Sequence, residues 1–332
     1  MNQLKFTSRQ IPQIPAQIIQ RERLFLQLQA GLKNYLTLVS APAGYGKTVL
    51  VAHWLHSVND PCAWLTVDEK EPDLQSYWMQ IILALRYVYA QIGNETIEAL
   101  YQNGQISIEL ILNELITEIE KQEHDVLLVL DDYFHIHAPV VHRSLRFLLE
   151  HCSANFHLIL LTRSDPPLPL ARYHARAQMV DIRAEDLKMN EAEMAALLNG
   201  LGICALSGSA LAMLYQRTEG WSAGIHLSNL AVRKQPDPEA FVAAFSGSQR
   251  YILTIFRTRF LKAFPCSSRN FCLKHPFCAS LMGPSVRPCW IIRTLHFFWN
   301  NFTSRTTFCS RWMMSGSGAV IPIFFEMYCS TV

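Results

Sequence analysis

The chain has 332 residues, of which half are hydrophobic and 17% charged, and this composition excludes disordered, collagen-like and small disulfide-stapled proteins. The net charge of +2 hides a split: residues 1–250 carry 20 Lys and Arg against 26 Asp and Glu, a balance of −6, whereas residues 251–332 carry 9 against 1, a balance of +8. The two parts of the chain therefore need separate explanations.

Neither a secretion signal nor a membrane segment is visible. The N-terminal sequence has no apolar stretch behind its charges, and no apolar run reaches the roughly 18 residues that a membrane span requires. Cys62, Cys152 and Cys204 are isolated in apolar contexts, which is typical of core thiols in a reducing compartment. We therefore expect a cytoplasmic protein that does not enter a membrane.

Short apolar runs alternate with helical patterns, which is typical of helices and strands around a parallel sheet. The predicted strands are Tyr35–Ser40, Ala63–Val67, Val126–Leu130, Phe156–Leu161 and Met179–Ile182, and the predicted helices are Thr48–Ser57, Leu74–Ile92, Ile106–Lys121 and Pro139–His151. From Asn190 to Phe245 the pattern is wholly helical. The expected domains are a lead-in (1–25), an α/β domain (26–185), a helical domain (186–250) and an aberrant tail (251–332).

A phosphate-binding loop follows the first predicted strand. Residues 41–48 read APAGYGKT, a glycine-containing turn that ends in GKT at the start of a helix. Its glycines let the backbone wrap closely around a phosphate chain, and exposed N–H groups at a helix N-terminus favour an anion. A glycine-rich turn that binds nothing is the alternative, which the flanking strand and helix disfavour. The loop predicts an α/β P-loop NTPase that binds ATP or ADP with Mg²⁺, through residues Ala43, Gly44, Tyr45, Gly46, Lys47, Thr48 and Val49.

The side chains of the loop and of the acidic strand have separate predicted roles. Lys47 would reach the β- and γ-phosphates, and the Thr48 hydroxyl would hold Mg²⁺. The apolar strand at 126–130 ends on Asp131 and Asp132, of which the first is predicted to hold Mg²⁺ and the second to orient the attacking water as a catalytic base. Two aspartates also occur as plain caps of strand-to-loop turns. Their combination with a phosphate loop favours the nucleotide role.

Arg163 follows the predicted strand at 156–161, at the sheet edge where open α/β sheets bind ligands. This position makes it a candidate sensor of the γ-phosphate. From the spacing alone, an arginine that only extends its charged end into solvent explains the position about as well as a γ-phosphate sensor does.

Seven sequence blocks together resemble one family. Over about residues 10–252 the chain is similar to the ATP-binding N-terminal module of MalT-type regulators in the LuxR class, which are STAND signalling NTPases. The blocks are APAGYGKT (41–48), AWLTVDE (63–69), LLVLDDY (127–133), LLTRSDPPLPLARYHAR (160–176), IRAEDLKMNEAE (182–193), TEGWSAGIHL (218–227) and FVAAFSGSQRYI (241–252). The resemblance implies the same roles for the loop, the acidic pair and Arg163, and it places Arg21 or Arg23 near the base and ribose.

The resemblance also implies a switch. In such proteins ADP holds a closed state, ATP with a small-molecule inducer favours an open state that self-associates, and slow ATP hydrolysis resets the cycle. DNA binding belongs to a C-terminal domain for which this sequence shows no counterpart, so DNA binding by this chain is not expected. Two alternatives stay open: an ATP-binding oligomerisation module without turnover, and a truncated product without function.

The composition of the tail fits a shifted reading frame. Residues 251–332 hold 6 of the 9 Cys and 11 of the 18 Phe, although no CxxC pair or sustained periodicity supports a metal site or a native domain. If one base is lost between Leu253 and Thr254, a Leu-rich acidic sequence is read as a Phe- and Cys-rich one. Residues 312–332 can be back-translated so that another frame reads DDERQWCRYPHLFRDVLLHR, which resembles the family's continuation.

We therefore expect the tail to be poorly ordered and prone to aggregation. Sequencing the gene across the codons of Leu253 and Thr254 should restore one frame that runs on into a helix-turn-helix sequence. An unchanged frame, with no family-like sequence in any frame downstream, would contradict the hypothesis.

Overall fold

The computed structural model describes residues 10–58, 60–68, 73–102, 107–202, 206–233 and 235–244, together with 312–314 and 320–322. The chain divides into two compact units, residues 1–281 and residues 282–332.

The first unit contains a five-stranded sheet in which all neighbouring strands run parallel. The strands in chain order are β1 (Leu36–Ser40), β2 (Cys62–Thr66), β3 (Val126–Asp131), β4 (Phe156–Thr162) and β5 (Met179–Arg183). Their spatial order is β2-β3-β4-β1-β5. Because the strands are parallel, their carboxyl ends meet at one edge of the sheet, and β4 lies between the strand that precedes the phosphate loop and the strand that ends in the acidic pair. The predicted fold class is confirmed.

Helices surround the sheet and continue beyond it. They are α1 (Glu22–Gly31), α2 (Lys47–Val58), α3 (Leu74–Val88), α4 (Asn94–Gln102), α5 (Ile108–Glu120), α6 (Pro139–His151), α7 (Leu170–Ala175), α8 (Ala184–Leu187), α9 (Glu191–Gly200), α10 (Gly208–Thr218), α11 (Ser222–Val232) and α12 (Pro238–Ala244). The last four helices, α9 to α12, make up the helical region. The predicted helix over 74–92 is shorter than expected: it ends at Val88, and a turn leads through Gly93, whose φ is +88°, into α4.

Alternate residues of each strand pack on opposite faces of the sheet, as the period of a strand requires. In β3, Leu128 and Leu130 belong to the apolar cluster formed with α3, α5 and α6, whereas Leu127 and Val129 belong to the cluster on the other face. This second cluster includes side chains from α1 and α2 and from all four helices of the helical region. The helical region therefore shares a core with the helix that follows the phosphate loop.

In the second unit the structure describes one antiparallel pair of short strands, β6 (Trp312–Met314) and β7 (Val320–Pro322). The expected disorder of the tail and its proposed frameshift concern residues that otherwise lie outside the described ranges. Among the described residues, no helix combines the length and the apolar character needed to span a membrane.

Candidate functional site

The phosphate loop is a tight turn between β1 and α2. Gly44 has a φ of +82° and Gly46 a φ of +81°, both in the left-handed region that glycine adopts without the steric cost paid by other residues. Lys47 is the first residue of α2. The loop therefore brings its backbone back over the N-terminus of that helix, which is the arrangement that binds anions.

The amine of Lys47 is folded into the loop. Its Nζ donates hydrogen bonds to the carbonyl oxygens of Ala41 at 2.7 Å and Pro42 at 3.1 Å, and the residue is 8% exposed. Burial and, to a smaller extent, the positive charge of Arg163 lower the pKa of this amine to about 8, against the opposing effect of the two aspartates at the end of β3. Among the residues that the structure describes, no carboxylate forms a hydrogen bond with this buried amine, so its charge is well suited to bind an added anion.

Thr48 and Asp131 are in direct contact. The Thr48 hydroxyl lies 3.1 Å from each carboxylate oxygen of Asp131, and Asp131 is the last residue of β3 and 3% exposed. Burial and the neighbouring charge of Asp132 raise the pKa of the Asp131 carboxyl to about 6, although the Thr48 hydroxyl and the Asp132 N–H favour its charged form. A hydroxyl and a carboxylate are hard oxygen donors, so this pair fits Mg²⁺.

Asp132 adopts an uncommon backbone conformation. Its φ of 55° and ψ of 35° lie in the left-handed region, which non-glycine residues other than Asn, Asp and His rarely adopt. Its N–H donates to Oδ1 of Asp131 at 2.9 Å, and its carbonyl accepts from the N–H of His135 at 3.2 Å. The turn therefore brings the backbone N–H of Asp132 against the carboxylate of Asp131. The side chain of Asp132 is half-buried at the carboxyl edge of the sheet.

Arg163 directly follows β4 and so emerges between the phosphate loop and the acidic pair. Its Cζ lies 3.9 Å from the centroid of the Phe134 ring, a distance at which the ring face attracts a guanidinium charge. Phe134 belongs to a 3-10 helix of one turn, Tyr133–His135, that follows Asp132. Sequence reasoning missed Phe134, because its contact with Arg163 joins two strand ends that only the folded sheet brings together.

The structure thus brings the predicted site residues to one edge of the sheet, with two differences in detail. Tyr45 is 3% exposed with its side chain in the apolar core, so its side chain is not placed to contact a ligand in the loop. Val49 lies within the first turn of α2 instead of in the loop that precedes it, and the residue is 38% exposed. Ala43 packs its side chain against the same core as Tyr45.

Arg21 and Arg23 lie where the N-terminal segment meets the helical region. Arg21 donates to the carbonyl oxygens of Leu187 at 3.0 Å and Lys188 at 2.7 Å and forms an ion pair with Glu193 at 3.0 Å. Arg23 shares the Lys188 carbonyl and the Glu193 carboxylate. Both side chains thus have protein partners, and a contact of either with a base or ribose stays a prediction.

A further set of contacts joins the start of α11 to the phosphate loop. Three successive residues donate to three successive loop carbonyls: the Trp221 indole Nε1 to Ala43 at 3.3 Å, the Ala223 N–H to Gly44 at 2.9 Å, and the Ser222 hydroxyl to Tyr45 at 3.4 Å. These residues lie within the block TEGWSAGIHL, one of those that carry the family resemblance, but nothing in the block indicates what they contact.

Comparison with known proteins identifies relatives of about two thirds of the chain. The HTH-type transcriptional regulator MalT of Serratia proteamaculans is 31% identical over 217 residues, and MalT of Yersinia enterocolitica is 31% identical over 222 residues; these matches cover 64% and 66% of this chain and 24% of each regulator. The serine/threonine-protein kinase PknK of Mycobacterium tuberculosis is 27% identical over 266 residues, which are 79% of this chain and 24% of the kinase. The chain thus spans about a quarter of the length of these relatives.

The fold also has a counterpart among solved structures. A Signal Transduction ATPase with Numerous Domains (STAND) protein with a tetratricopeptide repeat sensor, from Pyrococcus horikoshii, superposes with a TM-score of 0.51 at 19% identity, over 65% of this chain and 30% of that one. No protein-family model matches the sequence. The likeness in fold and the sequence identity to the two regulators agree with the geometry of the loop and the acidic strand. The part of the chain that carries this site is a P-loop NTPase module of the MalT type.

Proposed function

We propose that this chain is the ATP- and ADP-binding switch module of a MalT-type transcriptional regulator. The observation that carries the proposal is the contact between the Thr48 hydroxyl and the Asp131 carboxylate beside the buried amine of Lys47. The oxygen atoms of Thr48 and Asp131 are suited to bind Mg²⁺, and the Lys47 amine is suited to bind phosphate. These groups lie together beside the glycine-containing turn. A site that combines the two fits a nucleotide bound together with Mg²⁺ better than it fits Mg²⁺ alone or phosphate alone.

Each residue then has a part in binding. Lys47 exchanges its bonds to the loop carbonyls for bonds to the β- and γ-phosphates, while Thr48 and Asp131 hold Mg²⁺, which neutralises phosphate charge when it is bound. Arg163 reaches the γ-phosphate from its position against Phe134. Asp132 accepts the proton of the attacking water, which gives slow hydrolysis of ATP.

The binding of ATP instead of ADP adds one phosphate group at the end of β4, where Arg163 emerges. We propose that this difference changes the arrangement of the module and permits self-association, with a small-molecule inducer acting through other parts of a full-length regulator. DNA binding belongs to a separate domain of such a regulator. The module works in the cytoplasm, where nucleotides and the regulated genes meet.

The test is a titration of the full chain with ADP and ATP, with and without Mg²⁺, for the wild type and for Thr48→Val. Loss of a hydrogen-bonding partner of a charged group costs about 1.5–3 kcal/mol, so the gain in ATP affinity that Mg²⁺ provides should fall by about tenfold or more in Thr48→Val. Light scattering of the same samples should show larger particles with ATP than with ADP.

Thr117→Val is the matched control, because the Thr117 hydroxyl bonds to Asn113 within α5 and lies on the exposed side of that helix. It should retain the wild-type response to Mg²⁺. Absence of binding of either nucleotide at millimolar concentration would overturn the proposal. Binding without any ATP-dependent self-association would leave a nucleotide-binding module and remove the switch.

A further inference from the structure

We propose that residues 221–223 hold the phosphate loop in its anion-binding conformation, and that Trp221 is a positioning residue of the nucleotide site. The inference deepens the proposed function, on which it rests for the identity of the ligand. The helical region would thus take part in nucleotide binding by orienting the phosphate loop, without placing one of its own side chains against the phosphates.

The hydrogen bonds orient three peptide units of the loop. In a planar trans peptide the carbonyl of one residue and the N–H of the next point in opposite directions. Because the carbonyls of residues 43, 44 and 45 are directed to the start of α11, the N–H groups of Gly44, Tyr45 and Gly46 are directed to the opposite side of the loop. That row of N–H groups forms the concave surface that a phosphate chain requires.

Close packing reinforces the hydrogen bonds. A Cβ added to Gly44 would lie 2.8 Å from the Ala223 Cβ and 2.8 Å from the Trp221 Nε1, so the loop backbone packs directly against these two side chains and leaves no room for a side chain at position 44. Trp221 is 4% exposed and its side chain belongs to the core cluster that also contains Tyr45. The contact is therefore a buried, close-packed one.

The backbone before Trp221 is also constrained. Glu219 and Gly220 have successive left-handed φ values of 49° and 73°, and the Gly220 carbonyl accepts from the N–H of Met189 at 2.9 Å. A Cβ on Gly220 would lie 2.3 Å from the Met189 carbonyl oxygen. The turn thus fixes the direction in which the indole approaches the loop, because its backbone is bonded to a neighbouring segment and leaves no room for a side chain.

Linkage makes this contact work in both directions. If the start of α11 favours the loop conformation that binds nucleotide, then bound nucleotide must stabilise the contact between α11 and the loop by the same factor. A signal of nucleotide occupancy thereby reaches the helical region through the backbone of residues 43–45.

The test compares Trp221→Phe with Trp78→Phe in the full chain. Both substitutions remove a buried indole N–H that forms a hydrogen bond, to the Ala43 carbonyl in one case and to the Ser144 hydroxyl at 2.9 Å in the other. Loss of one such bond corresponds to about a fivefold change in affinity. We expect ADP to bind about fivefold more weakly to Trp221→Phe and with wild-type affinity to Trp78→Phe.

Hydrogen exchange of the Ala223 amide, which donates to the Gly44 carbonyl at 2.9 Å, provides a readout that a loss of general stability does not reproduce. Without nucleotide, this amide should exchange faster in Trp221→Phe than in the wild type and in Trp78→Phe. Benzothienylalanine at position 221, which replaces the indole N–H by sulfur at nearly constant size, should reproduce both effects and so separates the hydrogen bond from the packing.

Equal ADP affinity and equal exchange in all variants would overturn the inference. If the wild type binds no ADP, the proposed function fails, and the exchange of the Ala223 amide still decides whether Trp221 holds the loop against α11. A wild type that binds ADP, with variants that are indistinguishable from it, leaves the proposed function intact and removes this inference alone.

Discussion

Replacing Lys47 by Ala should weaken the binding of ADP and ATP by about a hundredfold or more. Removing one member of a buried, hydrogen-bonded charge pair costs about 2–5 kcal/mol, and the buried Lys47 amine is the charge proposed to bind the phosphates. Calorimetric titration of each nucleotide measures the loss. Lys121→Ala, an exposed lysine at the end of α5, serves as the control and should bind like the wild type.

The same variant tests the switch. ATP-dependent self-association should disappear in Lys47→Ala together with binding, because the assembly is proposed to follow the γ-phosphate. Self-association that persists unchanged in a variant unable to bind ATP would show that assembly does not depend on nucleotide. ATP binding that persists in this variant would contradict the placement of Lys47 at the phosphates.

The lowered pKa of Lys47 adds a pH dependence with a definite sign. In the free protein the amine has a pKa of about 8, and a bound phosphate must raise it because an adjacent anion favours the charged form. Binding of ADP therefore takes up a proton near pH 8, and the affinity falls as the pH rises through that value. Titrations in two buffers of different ionisation enthalpy measure the proton uptake directly, and proton release at pH 8 would contradict the assignment.

The strands and the site motifs could be predicted from the sequence because their signals are local. A continuous apolar run such as Leu127–Leu130 is typical of a strand covered on both faces, and the observed strand β3 extends the predicted one by a single residue, Asp131. The phosphate loop and the acidic pair lie within a few residues of such strands. Their meeting at one edge then follows from the parallel direction of the sheet.

The helices that the sequence did not predict depend on distant partners. The start of α4 is stabilised by the carboxylate of Glu118 in α5, which accepts from the N–H groups of Gly93 at 2.7 Å and Glu95 at 2.9 Å and from the Thr96 hydroxyl at 2.8 Å. Helix α1 begins beside the buried ion pair of Arg21 with Glu193. Interactions of this kind leave no periodic pattern in the segment that they stabilise.

The contact of α11 with the phosphate loop was beyond sequence reasoning for a second reason. Its acceptors are backbone carbonyls, which every residue has, and the indole of Trp221 is separated by 178 positions from the carbonyl that it reaches. The left-handed φ values of Glu219 and Gly220 that direct the indole were equally hidden, since one of the two residues is not glycine. The part of the site that lies within motifs was therefore predicted, and the part that couples it to the helical region was not.

Replacing Asp131 by Asn should stabilise the nucleotide-free protein by about 3 kcal/mol at neutral pH while it removes the effect of Mg²⁺ on ATP binding. The folded protein raises the pKa of this carboxyl from 3.8 to about 6, so ionising it costs more in the folded than in the unfolded state, at about 1.4 kcal/mol per pKa unit. The asparagine keeps an oxygen that can accept from the Thr48 hydroxyl and carries no charge. Urea denaturation measures the gain, and Asp60→Asn, an exposed carboxylate, should change stability by less than about 0.5 kcal/mol.

The pH dependence identifies the cause of that gain. Since the folded pKa of Asp131 is the higher one, the folded state holds the extra proton between about pH 4 and pH 6, and the free energy of unfolding of the wild type falls as the pH rises through this range. The advantage of Asp131→Asn should therefore be absent near pH 4 and complete above pH 6. A gain of equal size at both ends of the range would mean that packing causes it. A gain confined to higher pH would mean that the folded site keeps the charged form of Asp131 at a cost in stability, which fits a carboxylate retained for the proposed binding of Mg²⁺ instead of for folding.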